Sequence, residues 1–384
     1  MNILFYDMGS YTYKDILSQL QQMGHTCKPF LYRFPNKYQD QFFCDRLNQE
    51  LGSGLFDIVF SVNFFPLVAQ ICNEKHIKYI SWVYDSPMEE AAFSYFEYET
   101  NYIFLFDRME TESYQRMGYT RVFHLPLAVN TPRIDKLLKE APYQKKYLAD
   151  VSFIGQLYSS NLDALLLPAN PYTKGYIEGI IQAQIRIYGY DFIDELIPDE
   201  ILNLLNTART TVKPDATLLT RIGFIHAIHK HITQYERTFL LEELGARFHT
   251  QFYAKEKHEF HSPIEYKGPV DYYNVMPYIF RTSKLNLCPT LRSIHSGIPL
   301  RALDIMASRG ALLSNFQPEL AEYFQNEVDV IMYDSMEDAI AKAAFYIQND
   351  SLREQIARNG YEKTKEYFNY PRLLSILFEI VENN

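Results

Sequence analysis

Apolar runs and amphipathic stretches alternate along the first third of the chain. NILFYD at residues 2–7 is apolar enough for a buried strand, and the spacing from Tyr13 to Met23 predicts a helix. CKPFLYRF (27–34) reads as a strand and residues 38–51 as a helix. FDIVFSV (56–62), IKYISWVY (77–84), NYIFLF (101–106) and RVFHLP (121–126) follow as strands separated by helical segments. Strands wet on one face would alternate polar and apolar positions. Near-continuous apolar strands with helices between them imply a parallel sheet covered on both faces. Residues 1–145 are expected to form a doubly wound α/β domain.

A charged, tyrosine-bearing linker, APYQKKYLAD (141–150), leads to a restart at ADVSFIG (149–155). Residues 160–246 then break the alternation. They are mostly helical, with loop signals at LLPANPYTKG (166–175) and TTVKPDAT (210–217), and read as a helical insertion. Alternation resumes with HTQFYA (249–254), IEYKG (264–268), SKLNLC (283–288), GALLSN (310–315) and VDVIMY (328–333). The stretch 351–381 reads as helix. A second doubly wound domain is therefore expected over residues 146–365, with a cleft between the two domains. In such sheets ligands bind beyond the carboxyl ends of the strands, so the polar residues there carry the candidate chemistry.

In the first domain those ends present Asp7, Asn63, Asp85 and Asp107. Each has a second reading, because aspartate and asparagine after a strand often cap the next helix. Asp85 follows the run YISWVY and precedes a Ser-Pro turn, a placement suited to a carboxylate that takes a proton from an acceptor hydroxyl. Gly9-Ser10 gives either a close backbone approach to a ligand or an ordinary tight turn. In the second domain three loops are built from small residues near positive charge. They are Gly155 with Ser159 and Ser160, the Gly268-Pro269 turn with Val270 and the later Lys284, and SGIPLRALDIMA from Ser296 to Ala307. The last has a helical apolar stripe at Leu300, Leu303, Met306 and Ala307, with Gly310 as its stop. Arg301 and Asp304 share one face near its start, where free N–H groups, a guanidinium and a carboxylate could hold a phosphate and a sugar diol together.

Composition narrows the possibilities. A chain of 384 residues with 47% hydrophobic and 22% charged positions suits two globular domains. No apolar run reaches membrane-spanning length, and MNILFYDMGS lacks a basic region ahead of its apolar stretch, so it reads as a strand rather than a signal peptide. Cys27, Cys44, Cys72 and Cys288 are scattered without a CxxC pair, which argues against a disulfide framework or zinc site and for a reducing cytoplasm. A net charge of −10 disfavours nucleic acid as a partner but allows a nucleotide. The 31 tyrosines and 27 phenylalanines read first as core and second as sugar-stacking surfaces. Neither the dinucleotide glycine fingerprint nor a Walker A loop is present, which removes redox and ATPase readings. His226, His229 and His231 invite a metal, but no carboxylate or cysteine stands at matching spacing. No Asp-x-Asp occurs either, so metal independence is expected.

GIPLRALDIMASRGALLSN, PELAEYF and the stretch from Val328 to Phe368 together resemble the C-terminal half of GT-B glycosyltransferases, most of all the CgeB-like spore-maturation group. Residues 56–87 resemble the uncharacterised domain often paired with that half, and VFHLPLAVNT its end; the insertion is not covered. The resemblance implies two Rossmann-like domains, an acceptor side in the first, a nucleotide-sugar donor in the second, and a terminal helix (366–384) returning to the first domain. It places Asp304 at the acidic residue that binds the nucleotide ribose, where the family more often has glutamate. It places Ser296 where related retaining enzymes carry a second glutamate, a departure from their pattern. Gly155, Gly268, Val270 and Lys284 from the small-residue loops join Ser296, Gly297, Ile298, Arg301 and Asp304 as the candidate donor residues, and the resemblance gives Arg301 and the Gly297 corner to the diphosphate. Gly9, Asn63 and Asp107 are the acceptor-side candidates and Asp85 the base. UDP is the expected nucleotide, as substrate rather than cofactor; the acceptor is a glycan, a protein or a small molecule. A nucleotide-sugar epimerase and a nucleotide binder without catalysis are the alternatives.

Overall fold

The register of the first sheet brings its candidate residues to one edge. Strands β1 (Asn2–Asp7), β2 (Thr26–Leu31), β3 (Ile58–Val62), β4 (Lys78–Val83), β5 (Asn101–Leu105) and β6 (Val122–His124) form a parallel sheet in the order β2-β1-β3-β4-β5-β6. Phe5 pairs with Phe60, Phe60 with Ile80, and Ile80 with Tyr102, so the carboxyl ends of the central strands are level. Helices α1 (Tyr13–Gln22), α2 (Gln41–Leu51), α3 (Pro66–Glu74) and α4 (Arg108–Arg116) connect them. Asp40 caps α2 through the Phe43 amide, which starts that helix later than the pattern predicts. The aromatic abundance goes largely into packing. Tyr6 meets Phe43 and Phe65 edge-on at 5.3 and 4.9 Å, and Phe34 meets Phe43 at 5.0 Å.

The computed structural model describes residues 1–140 and 144–384. Residues 141–143, the opening of the expected linker, lie outside the described residues. The chain divides into one unit of residues 1–130 with 366–384 and another of residues 131–365, so the expected break at 145 falls 15 residues after the observed one.

The second unit opens with α5 (Thr131–Glu140) and β7 (Val151–Ile154), then runs through α6 (Leu162–Leu166), α7 (Pro171–Gln184), α8 (Ile193–Leu196), α9 (Asp199–Val212) and α10 (Arg221–Gly245). After these come β8 (Thr250–Tyr253), β9 (Glu265–Tyr266), α11 (Met276–Thr282), β10 (Leu285–Cys288), α12 (Leu300–Ala307), β11 (Leu312–Asn315), α13 (Pro318–Tyr323), β12 (Ile331–Tyr333), α14 (Met336–Gln348) and α15 (Asp350–Tyr367). Its parallel sheet has the order β12-β11-β10-β7-β8-β9, which reverses direction between β7 and β10. Such a reversal opens a crevice at the carboxyl ends of those two strands.

The insertion is narrower than residues 160–246. Helices α6 to α9 and the first half of α10 share an apolar core that includes Leu162, Ile177, Ile193, Leu205 and Ile228. The second half of α10 belongs to the sheet: Leu240, Leu241 and Leu244 pack with Phe153, Phe252 and Leu313. The terminal helical stretch is likewise two helices, α15 and α16 (Tyr370–Asn383), because Asn369 caps the second through the Arg372 amide and Pro371 opens its first turn. Helix α16 packs in the first unit, where Lys78 donates to the Val381 carbonyl and Tyr370 meets Trp82 edge-on. Gly310 does not end α12 by taking a positive φ, since Arg309 does that at 56°. A methyl group at Gly310 would stand 2.7 Å from both the Phe280 carbonyl and the Asn286 amide, so this glycine permits close packing instead.

Candidate functional site

In the first unit Asn63 and Asp85 meet. Asn63 directly follows β3 with φ 67°, a left-handed conformation that asparagine tolerates. Its amide oxygen accepts from the Tyr84 and Asp85 amides at 2.7 and 3.2 Å, and its nitrogen donates to Asp85 Oδ2 at 2.7 Å. One side chain thus fixes both the loop after β4 and the carboxylate upon it. The Asp85 residue keeps accessible surface, but protein packed around its carboxyl raises its pKa; the Asn63 hydrogen bond and Lys37 pull the other way. No helix begins at Asp85, so this carboxylate does not serve as a cap.

The other strand-end residues are more local. Asp7 accepts from the Gly9 amide and from the Ser10 amide and hydroxyl, which closes the turn at Gly9 (φ 106°). Asp107 is fully buried and caps α4 through the Glu110 amide. Burial, and next the Asp107 charge, raise the pKa of Glu110, which accepts from Ser86, Met88 and Tyr114.

In the second unit Gly155 follows β7, and the segment from Pro289 to Pro299 follows β10, one loop on each side of the crevice. Ser296, Gly297 and Ile298 lie on the second loop, buried just ahead of α12. Asp304 is buried one turn into α12, where it accepts from the Tyr272 hydroxyl at 3.0 Å; Arg301 Nη1 lies 3.6 Å from its other oxygen. The Arg301 guanidinium also contacts Met276 Sδ and lies over the Phe280 ring, which turns it toward α11. Gly268 takes φ 78° beyond edge strand β9, with Val270 two residues on. Lys284 stands apart. It precedes β10, at the amino end of the sheet, and pairs with Asp150 at 2.9 Å. Ser160 donates to the Ala227 carbonyl inside the unit.

Folding adds residues that sequence spacing did not single out. Ser296 Oγ hydrogen-bonds Glu319 Oε1 at 2.7 Å, and the Glu319 amide donates to the Ser296 carbonyl, so the loops after β10 and β11 are joined twice. Arg237, on α10, donates to the carbonyl of Gln156 after β7 and twice to that of Pro289 after β10. His229 gains a carboxylate from the insertion. Its Nε2 lies 2.5 Å from Asp191 Oδ2, which is also 3.6 Å from His295 Nδ1. Hydrogen bonding to His229 and both imidazole charges outweigh burial and hold Asp191 at a pKa of about 2. Burial lowers that of His229 and brings His226 down to about 4. Asp191, His229, His295, Arg292, Asn315 and Phe316 help line a small pocket beside the β10 loop. Even so, no three His, Cys, Asp or Glu side chains among the described residues are grouped to hold a metal ion. No helix among those residues is long and apolar enough to cross a membrane.

Residues 233–377 match the family model described as glycosyl transferase-like. No curated protein matches the chain. Among solved structures, a sucrose-phosphate synthase from Thermosynechococcus elongatus aligns over 100% of this chain and 98% of its own, at 9% identity and a TM-score of 0.57. A glycosyltransferase from Rickettsia africae aligns over 100% and 99%, at 11% identity and a TM-score of 0.53. HepE from Anabaena, solved in complex with UDP and glucose, aligns over the full length of both chains at 11% identity and a TM-score of 0.52. Likenesses at such low identity establish the fold. With two six-stranded parallel sheets covered by helices, the chain has the GT-B fold.

Proposed function

We propose that this protein is a glycosyltransferase that moves a sugar from a nucleoside diphosphate donor, with UDP the first choice, to an acceptor hydroxyl. The observation that carries the reading is the crevice of the second unit, where the Gly155 loop and the Pro289–Pro299 loop flank the β7/β10 reversal and α12 begins beside them. Amides at the start of α12 suit the diphosphate, and Asp304 suits the ribose hydroxyls once Tyr272 yields its hydrogen bond. The glycosyl transferase-like match spans α12 and its loop, and the Anabaena neighbour was solved with UDP. As the sugar–phosphate bond breaks, negative charge grows on the leaving diphosphate, where fixed donors lower the barrier. Asp85, oriented by Asn63, is the proposed base for the acceptor proton.

A thermal-shift screen against UDP-, GDP- and dTDP-sugars tests the donor. Ligand at one hundred times its Kd stabilises the native state by about 2.7 kcal/mol, so UDP-sugars should raise Tm clearly. No shift with any nucleotide sugar would sink the proposal. EDTA should leave transfer largely intact, since Asp191, His229 and His295 form no metal-ready group. Loss of turnover on chelation, restored by Mn²⁺ or Mg²⁺, would overturn metal independence.

A further inference from the structure

Arg237 is a buried cation whose hydrogen bonds go only to neutral carbonyls. The residue is 8% exposed, and its guanidinium lies over the rings of Phe153 and Tyr158 at 5.5 and 4.7 Å. Its Nη1 donates to the Gln156 carbonyl at 2.5 Å, and its Nε and Nη2 to that of Pro289 at 3.1 and 2.5 Å. Among the described residues it forms no ion pair. The neighbouring carboxylate, Glu236, is engaged by Arg292, which takes both of its oxygens at 2.5 and 2.8 Å. Two other buried arginines of this unit do have carboxylate partners, Arg292 in Glu236 and Arg353 in Asp350. A buried charge without a counter-charge is costly, and carbonyl dipoles offset only part of that cost.

The place of this charge gives it a purpose. Gln156 follows β7 and Pro289 follows β10, so one guanidinium ties together the two loops that border the crevice. Gly155 lies against both groups, since a methyl group there would stand 3.3 Å from the Phe153 ring and 3.9 Å from Arg237 Nη1. Arg301 lies near the same loops, but it is turned toward Met276 and Asp304.

We infer that Arg237 is the positioning residue of the donor's diphosphate: it supplies the positive field at the crevice and holds the two loops at the spacing that receives two linked phosphates. This rests on the donor site proposed above and goes beyond it in naming the counter-charge. The ligand class is a diphosphate anion. Its arrival completes the charge balance that the protein leaves open, and its departure as free nucleotide restores the imbalance.

The test measures binding of UDP, uridine and inorganic pyrophosphate by calorimetry to wild type, Arg237→Gln and Arg237→Lys. Arg237→Gln should weaken UDP and pyrophosphate by about 10- to 100-fold, the scale of a lost charge-assisted interaction, with uridine changed far less. Arg237→Lys keeps the charge without the fork, so it should retain much of the preference for UDP over uridine and guards against misfolding of the glutamine variant. A purely structural arginine would lower uridine and UDP affinity equally in both variants, and that result overturns the inference. If wild type binds none of the three probes, the donor site itself is wrong. If wild type binds UDP and the lysine variant loses uridine and UDP alike, only the role of Arg237 is.

Discussion

Asp85→Asn should lower the turnover of sugar transfer by roughly 10²–10⁴ while leaving donor affinity nearly unchanged, the usual loss when a general base is removed. Asparagine keeps the size of the side chain, and its oxygen can still accept from Asn63, which donates to Asp85 at 2.7 Å. What disappears is proton acceptance. The alternative of a helix cap predicts near-normal activity, because asparagine caps as well as aspartate, but no helix starts at this position. The pH profile offers a second readout with a defined sign. Burial raises the Asp85 pKa, and the base works only when ionised, so activity should be full above that raised value and fall as pH drops through it. The acidic limb should therefore begin above the ordinary aspartate range and vanish from the residual activity of Asp85→Asn. An unchanged turnover in this variant, with donor bound normally, would remove Asp85 from the mechanism.

The largest loss of stability is expected at Glu236→Ala. Glu236 and Arg292 are both buried as side chains and share two hydrogen bonds, while Arg292 also donates to the Ile187 carbonyl and lies 4.1 Å over the Tyr188 ring. The Glu236 carboxylate is the main reason the arginine pKa is raised against its burial. Without it the guanidinium stays buried and uncompensated, a change that costs about 3–5 kcal/mol. Replacing both partners at once, Glu236→Leu with Arg292→Met, should recover most of that loss, because the buried charges then disappear together. Denaturant unfolding followed by far-UV circular dichroism is the appropriate measurement. Trp82, the sole tryptophan, lies in the first unit and would not report on this site directly. A double variant as unstable as the single one would mean that shape rather than charge holds this junction.

Much of the architecture was legible from local pattern. Apolar runs such as NILFYD and IKYISWVY mark buried parallel strands because burial on both faces removes polar alternation. Helix starts were less well defined, since Asp40, Ser335 and Asn369 act through single amide hydrogen bonds that hydrophobic spacing does not register. The insertion misled at its far end because the long α10 serves two cores, its first half facing Ile177 and its second facing Phe153 and Phe252.

Taken alone, the sequence determined which residues stand at strand ends: Asp7, Asn63, Asp85 and Asp107 in one unit, Gly155 and the Ser296–Gly297 corner in the other. Strand periodicity is a local property and needs no knowledge of partners. Tertiary structure alone decided what those residues meet. Asn63 finds Asp85 across 22 residues, Ser296 finds Glu319 across 23, His229 finds Asp191 across 38, and Arg237 reaches Pro289 across 52 and Gln156 across 81. It also turned Arg301 toward Met276 and Phe280 on α11 and paired Lys284 with Asp150 at the amino end of the sheet. Charge compensation depends on separation in space, and the parallel strand order sets that separation only once the chain has closed upon itself.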